Sequence, residues 1–102
     1  MSTVWITGGG SGIGKALALL FSSDGWDVVI SGRDPQRLKQ VCKFSPQIRS
    51  FVCDIKNEDE VLSVQSKIGR IDLAILNAGD YWPGLTHNCS QKDHRQIFEV
   101  NY

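Results

Sequence analysis

Thr7-Gly8-Gly9-Gly10-Ser11-Gly12-Ile13-Gly14 is the stretch on which the reading of this chain turns. Val4-Trp5-Ile6, just before it, is an apolar run of strand-forming residue types. After it, Ile13, Ala16, Leu17, Leu20 and Phe21 recur at i, i+3, i+4, i+7 and i+8, a spacing that predicts a helix with these residues on its apolar face. Strand, glycine turn and helix together form a device for holding a pyrophosphate. Glycines let the backbone turn sharply and let a ligand approach it. The helix start presents unpaired N–H groups and a partial positive charge.

Moving outward, strand and helix signals alternate. Thr3–Thr7 reads as the first strand and Ser11–Asp24 as the first helix, stopped by Gly25. Trp26–Ser31 reads as a second strand. Asp34-Pro35 is a cap followed by a proline at the first helical position, opening a helix that carries Leu38, Val41 and Cys42. Ile48–Cys53 is a third strand. Asn57 with Glu60 resembles a capping box for a third helix with Val61, Val64 and Ile68 on one face. Ile71–Leu76 is nearly all apolar, as a strand covered on both faces requires. Ser90 with Asp93 can cap a fourth helix carrying Ile97 and Phe98. Residues 79–89 are the least patterned stretch.

Alternating β and α units imply a doubly wound parallel sheet, and a glycine turn after the first strand suggests the order 3-2-1-4. That order leaves Ile71–Leu76 at an edge. An uncharged apolar edge invites pairing, so the pattern asks for a fifth strand from more chain or from a partner.

Composition narrows the function classes. The 102 residues allow one domain, and eleven basic residues balance eleven acidic ones. That balance argues against a general nucleic-acid or membrane-surface binder. No apolar run reaches the ~20 residues that span a bilayer, and the N-terminus lacks a secretory pattern, so a cytoplasmic protein is expected. The three cysteines Cys42, Cys53 and Cys89 form no C-x-x-C pair, and His87 and His94 fit no zinc spacing, so no metal site is expected. Trp5, Trp26 and Trp82 read as packing residues.

Three readings of the glycine stretch compete. One is a dinucleotide turn built on Gly8, Gly12 and Gly14. Another is a triphosphate loop, because Gly9 to Lys15 also fits G-x-x-x-x-G-K; the position that must then ligate magnesium is Ala16, which cannot. Asp54 could mimic the acid that holds the magnesium in such a site. The third is a ligand-free turn, which would not require five glycines in seven residues. The second strand ends Ser31-Gly32-Arg33, with no acid to hold a ribose 2′-hydroxyl. Arg33 can instead form a charge-assisted fork with a 2′-phosphate, which predicts NADP(H) in preference to NAD(H). Asp34 could neutralise Arg33, but it is better explained as a helix cap. Lys15 is equally compatible with a phosphate contact and with an ordinary surface position.

Thr7-Gly8-(x)3-Gly12-Ile13-Gly14, Gly32-Arg33, Asp54-Ile55, Leu76-Asn77-Ala78-Gly79 and Val100-Asn101 follow one another in the order of a known pattern. Together they resemble the N-terminal half of the short-chain dehydrogenase/reductase family. The resemblance implies a single, incomplete Rossmann-type NAD(P)-binding domain over residues 1–102, reaching the fourth strand and the start of the fourth helix. It implies that Gly8, Gly12 and Gly14 shape the pyrophosphate turn and that Ile13 adds a backbone contact, with Thr7, Gly10 and Ser11 in the same cofactor-binding set. Asp54 would accept from the adenine amino group with Ile55 alongside; a strand-end cap is the competing explanation for Asp54. Asn77, Ala78 and Gly79 would line the cofactor ribose. Asn101 resembles the helix-four asparagine that supports the family's proton relay.

The chain departs from the family in its chemistry. Tyr81 has no lysine four residues on, and no Ser/Tyr-x-x-x-Lys constellation can be assembled. The expected whole-enzyme activity is hydride transfer between NADP(H) and a small carbonyl or alcohol substrate, with homo-oligomerisation where the chain is longer. The chain alone is expected to bind cofactor without turnover. A non-catalytic dinucleotide-binding module and a truncated remnant are the alternatives.

Overall fold

The computed structural model describes residues 1–8, 10 and 12–76, together with the backbone of residues 96–99. The elements are β1 (Thr3–Thr7), α1 (Gly12–Ser23), β2 (Asp27–Gly32), α2 (Pro35–Cys42), β3 (Ile48–Val52), α3 (Glu58–Ile68), β4 (Leu73–Leu76) and β5 (Gln96–Glu99). The sheet order is β3-β2-β1-β4-β5. β1 to β4 pair in parallel in the expected order, with Trp5 opposite Val29 on one side and Ala74 on the other.

β1 feeds two cores because its side chains alternate across the sheet. Val4 and Ile6 join Val28, Ile30 and Ile75 beneath Ala18 of α1 and Leu38 and Val41 of α2. Trp5 points the other way and joins Val29, Cys53, Ile71 and Ala74 beneath Val61 and Val64 of α3. Its indole N–H donates to Ser31 Oγ at 2.9 Å, a bond buried within that second core. Trp26 packs as well, edge-on to Phe21 with ring centroids 5.0 Å apart. Trp82 lies outside the described residues.

Local signals explain the element ends. After α1, Gly25 takes φ 87°. Its N–H donates to Ser22 O and the Trp26 N–H donates to Phe21 O, the paired bonds of a Schellman stop. Asp34 caps α2, its carboxylate accepting from the N–H groups of Gln36 and Arg37. Asn57 caps α3 by accepting from the Glu60 N–H. The reciprocal arm of a capping box is redirected: Glu60 Oε1 accepts from the Asp54 N–H at 3.2 Å, tying α3 to the end of β3. Asp72 accepts from the Thr3 N–H at 2.8 Å, and that bond, aided by Arg70, holds its carboxyl below the usual carboxylate range.

Two expectations are overturned. In α1 the buried residues are Gly14, Ala18 and Ser22, whereas Ile13 is 45% and Leu20 59% exposed and Ala16 is exposed too. Small side chains at i, i+4 and i+8 let the helix backbone approach the sheet; of the expected face, Leu17 and Phe21 still pack against the core, half-buried on the helix flanks. Residues 96–99 are a strand, not part of a fourth helix carrying Ile97 and Phe98. β5 runs antiparallel along β4, with Leu73 opposite Glu99 and Leu76 opposite Gln96. The fifth strand that the exposed edge asks for therefore comes from within these 102 residues. The physical reason is the edge itself, whose unpaired N–H and C=O groups reward an extended neighbour more than isolated helical spacing rewards a helix.

Candidate functional site

In a doubly wound sheet, the carboxyl ends of the parallel strands are where a ligand settles. Here those ends frame a cleft of about 290 Å³. That is at the lower end of the roughly 300–1,000 Å³ typical of ligand sites. One wall is the glycine turn, contributing Thr7, Gly8 and Gly10. A second is the end of β2 and the start of α2, from Ser31 through Asp34 with Arg37 and Leu38. The third is the segment after β3, Cys53 through Lys56.

The described part of the glycine wall uses conformations and close contacts that favour glycine. Gly8 and Gly12 take φ 67° and 55°, conformations that side chains disfavour. The Gly8 N–H donates to Ser31 O at 2.8 Å, which joins the tip of β1 to β2. A Cβ on Gly10 would lie 3.1 Å from Arg37 Cβ and 3.6 Å from Leu38 Cδ2, so only a glycine lets the turn sit against α2 without a shift. Gly14, in the first turn of α1, is buried.

At the end of β2, Ser31 is buried, Gly32 carries no side chain and Arg33 is exposed. Arg33 has no ion-pair partner among the described residues. Asp34 does not neutralise it. Oδ1 of Asp34 accepts from Gln36 N at 3.0 Å and Arg37 N at 3.3 Å, and Oδ2 lies 3.5 Å from Arg37 Nε. Both functions expected of the second strand's end are thus separated in space: a cap on the helix and a free cation beside the cleft.

Asp54 fills the strand-end capping role weighed for it. Oδ1 accepts from the Lys56 N–H at 3.0 Å, and its backbone C=O accepts from the Asn57 N–H. Its other carboxylate oxygen has no partner among the described residues and belongs to a residue lining the cleft. Ile55 is buried beside it. Cys53 belongs to the same wall, and its core-buried thiol is pushed up from 9.0 to about 11, chiefly by burial and then by the Glu60 and Asp54 carboxylates. It stays protonated at neutral pH and is no nucleophile.

Six of the anticipated positions meet at this cleft: Thr7, Gly8, Gly10, Arg33, Asp54 and Ile55. Gly12, Ile13 and Gly14 do not line it; they form the start of α1 behind the turn. Ser11, Asn77, Ala78, Gly79 and Asn101 lie outside the described residues, as do Tyr81, His87, Cys89 and His94. Lys15 is not in the cleft either; its Nζ sits 5.0 Å from the Phe44 ring centroid. Sequence reasoning missed Arg37 and Lys56. For Arg37 only the pairing with its cap was detectable, since it stands three residues after Asp34; its place beside the cleft follows from the packing of α2. Among the described residues no group of three or more His, Cys, Asp or Glu side chains could hold a metal ion, and no helix is long and apolar enough to cross a membrane.

The likenesses to known proteins agree with this geometry. Residues 2–102 match the short chain dehydrogenase family. L-fucose dehydrogenase of Bos taurus is 34% identical over 106 residues, covering 96% of this chain and 38% of that enzyme. 7alpha-hydroxysteroid dehydrogenase of Escherichia coli strain K12 is 33% identical over 104 residues, covering 94% and 40% respectively. The crystal structure of a 3-ketoacyl-(acyl-carrier-protein) reductase from Brucella melitensis, complexed with NADH, shares the fold with a TM-score of 0.68 and 32% identity. That likeness covers 76% of this chain and 34% of the reductase. The chain thus spans well under half the length of the relatives it matches. A parallel sheet in the order 3-2-1-4, a glycine turn after its first strand and a match over residues 2–102 lead to one conclusion: the chain belongs to the short-chain dehydrogenase family.

Proposed function

We propose that this chain forms the adenosine and pyrophosphate end of a nicotinamide dinucleotide site, with NADP(H) preferred over NAD(H), in an oxidoreductase of carbonyl reductase or alcohol dehydrogenase type. The observation that carries the preference is Arg33, an exposed cation without an ion-pair partner among the described residues, at a strand end where Ser31 and Gly32 provide no acid. The residues fit the cofactor. Positive φ at Gly8 and Gly12 and the tight Gly10 approach make a cradle that a Cβ at Gly10 would crowd. The free oxygen of Asp54 suits an exocyclic amine, since a carboxylate is acceptor-only at neutral pH.

In this reading the Thr7–Gly14 turn holds the pyrophosphate, Arg33 the 2′-phosphate, Asp54 and Ile55 the adenine, and Asn77, Ala78 and Gly79 the ribose. When bound, the nicotinamide supplies the hydride exchanged with a small carbonyl or alcohol substrate. The supporting relay role of Asn101 rests on the family resemblance. A cytoplasmic setting accords with the free thiols of Cys42 and Cys53.

The test is calorimetric titration of the chain with NADPH and with NADH. A hydrogen bond to a charged group is worth roughly 1.5–3 kcal/mol, so Arg33→Ala should lower the NADPH preference by about ten- to a hundredfold. An unchanged preference defeats the assignment. A second reading, a dinucleotide-binding module without turnover, draws on β5, which closes the β4 edge from within the described residues. A native protein of intact mass near 11.3 kDa that binds NADPH tightly without reducing any carbonyl panel supports it.

A further inference from the structure

The start of α2 holds a second cation in an arrangement that the Arg33 reading does not use. Leu38, 1% exposed, anchors the helix; its Cδ2 lies 3.6 Å from where a Cβ would stand on either Gly10 or Gly32. That anchor fixes the preceding residue, Arg37, against the glycine turn and at the rim of the cleft. Among the described residues the guanidinium is not committed elsewhere. Its ion pair with Asp34 is a single contact of 3.5 Å between side chains 64% and 56% exposed, and exposed pairs of this kind contribute little. Asp34 divides its work between its two oxygens: Oδ1 carries the helix cap, and only Oδ2 holds Arg37.

Resting on the 2′-phosphate reading above, we propose that Arg37 is a second phosphate-binding cation and that Asp34 Oδ2 is its place-holder, displaced when the 2′-phosphate arrives. A phosphate monoester brings close to two negative charges and three strong acceptor oxygens. An arginine that exchanges one monodentate carboxylate contact for it gains a forked, charge-assisted pairing. The cap survives the exchange, because Oδ1 keeps its two N–H donors. Asp34 thereby sets the degree of preference. Its charge repels a 2′-phosphate and competes for Arg37, whereas a ligand with a free 2′-hydroxyl leaves the pair undisturbed.

The experiment is titration of the chain with adenosine 2′,5′-bisphosphate and with adenosine 5′-monophosphate, for Arg37→Ala, Arg37→Lys, Asp34→Asn and Arg33→Ala. Arg37→Ala should weaken the bisphosphate roughly tenfold and leave the monophosphate unchanged, with Arg37→Lys recovering part of the loss. Asp34→Asn retains the capping oxygen, so it should keep the thermal midpoint and tighten the bisphosphate several-fold. A bisphosphate affinity untouched by Arg37→Ala but weakened by Arg33→Ala overturns this inference and leaves the 2′-phosphate reading standing. Indifference to Arg33→Ala as well overturns both. Weaker bisphosphate binding in Asp34→Asn, with the fold intact, shows Asp34 organising the site and refutes the place-holder role.

Discussion

The two faces of the sheet solve the same packing problem differently. Beneath α1 and α2 the sheet presents aliphatic residues, Val4, Ile6, Val28, Ile30 and Ile75, and α1 answers with Gly14, Ala18 and Ser22. Beneath α3 the sheet presents Trp5, the largest side chain it has, with a polar atom that must be satisfied by Ser31. On the first face the helix is brought close because its contact residues are small. On the second the volume comes from the strand. The lesson is functional: close approach sets the start of α1 and the glycine turn over the strand ends, while the face under α3 supplies Cys53 and Ile55 as a wall of the cleft.

If that contrast is right, the two faces should respond differently to changes in volume. Trp5→Ala removes the keystone of the α3 face and should cost about 3–5 kcal/mol, the range for truncating a buried aromatic. Urea denaturation checks it, and a loss below about 1 kcal/mol would erase the contrast. Ala18→Leu tests the other face, where added volume rather than lost volume is harmful. It should cost about 1–3 kcal/mol and push α1 outward, weakening dinucleotide binding along with stability. A neutral result in both measurements would mean that α1 is not held at close range.

The smallest effect separates the faces chemically, since each carries one described cysteine. Cys42 is partly buried against the α1/α2 core, and Cys53 is 3% exposed in the α3 core. Cys53 is raised in the folded state, so its neutral thiol adds stability that is fully present below about pH 9 and is lost as the pH rises toward about 11. Iodoacetamide at neutral pH should label Cys42 first. The alkaline loss of stability should shrink in Cys53→Ala. Equal labelling rates would place Cys53 outside the core.

Much of the fold is legible because its signals are local. Asp34-Pro35, Asn57 and Gly25 act within one turn of chain, through hydrogen bonds to neighbours a few residues away, and each does in the structure what its type and spacing predict. The strand order also follows, because alternating units with a glycine turn permit few topologies. The failures share a cause of the opposite kind. Spacing marked Ile13, Ala16 and Leu20 as apolar but could not say which side of α1 the sheet would choose; the sheet chose the small residues. Ile97 and Phe98 fit a helix locally, yet residues 96–99 pair with an edge more than nineteen residues back along the chain. Arg37 was passed over because its relevance depends on Leu38 seating α2 against the glycine turn.

By itself, the sequence determined the parallel α/β architecture, the dinucleotide-type turn and the absence of an acid at Ser31 and Gly32, since each depends on residue types read in order. Only the tertiary structure decided which face of α1 is buried, what covers β4, and that Leu38 seats Arg37 against the glycine turn. Those outcomes depend on contacts between segments distant in sequence. There, volume, open backbone groups and charge compete in three dimensions, and no local pattern records which will prevail.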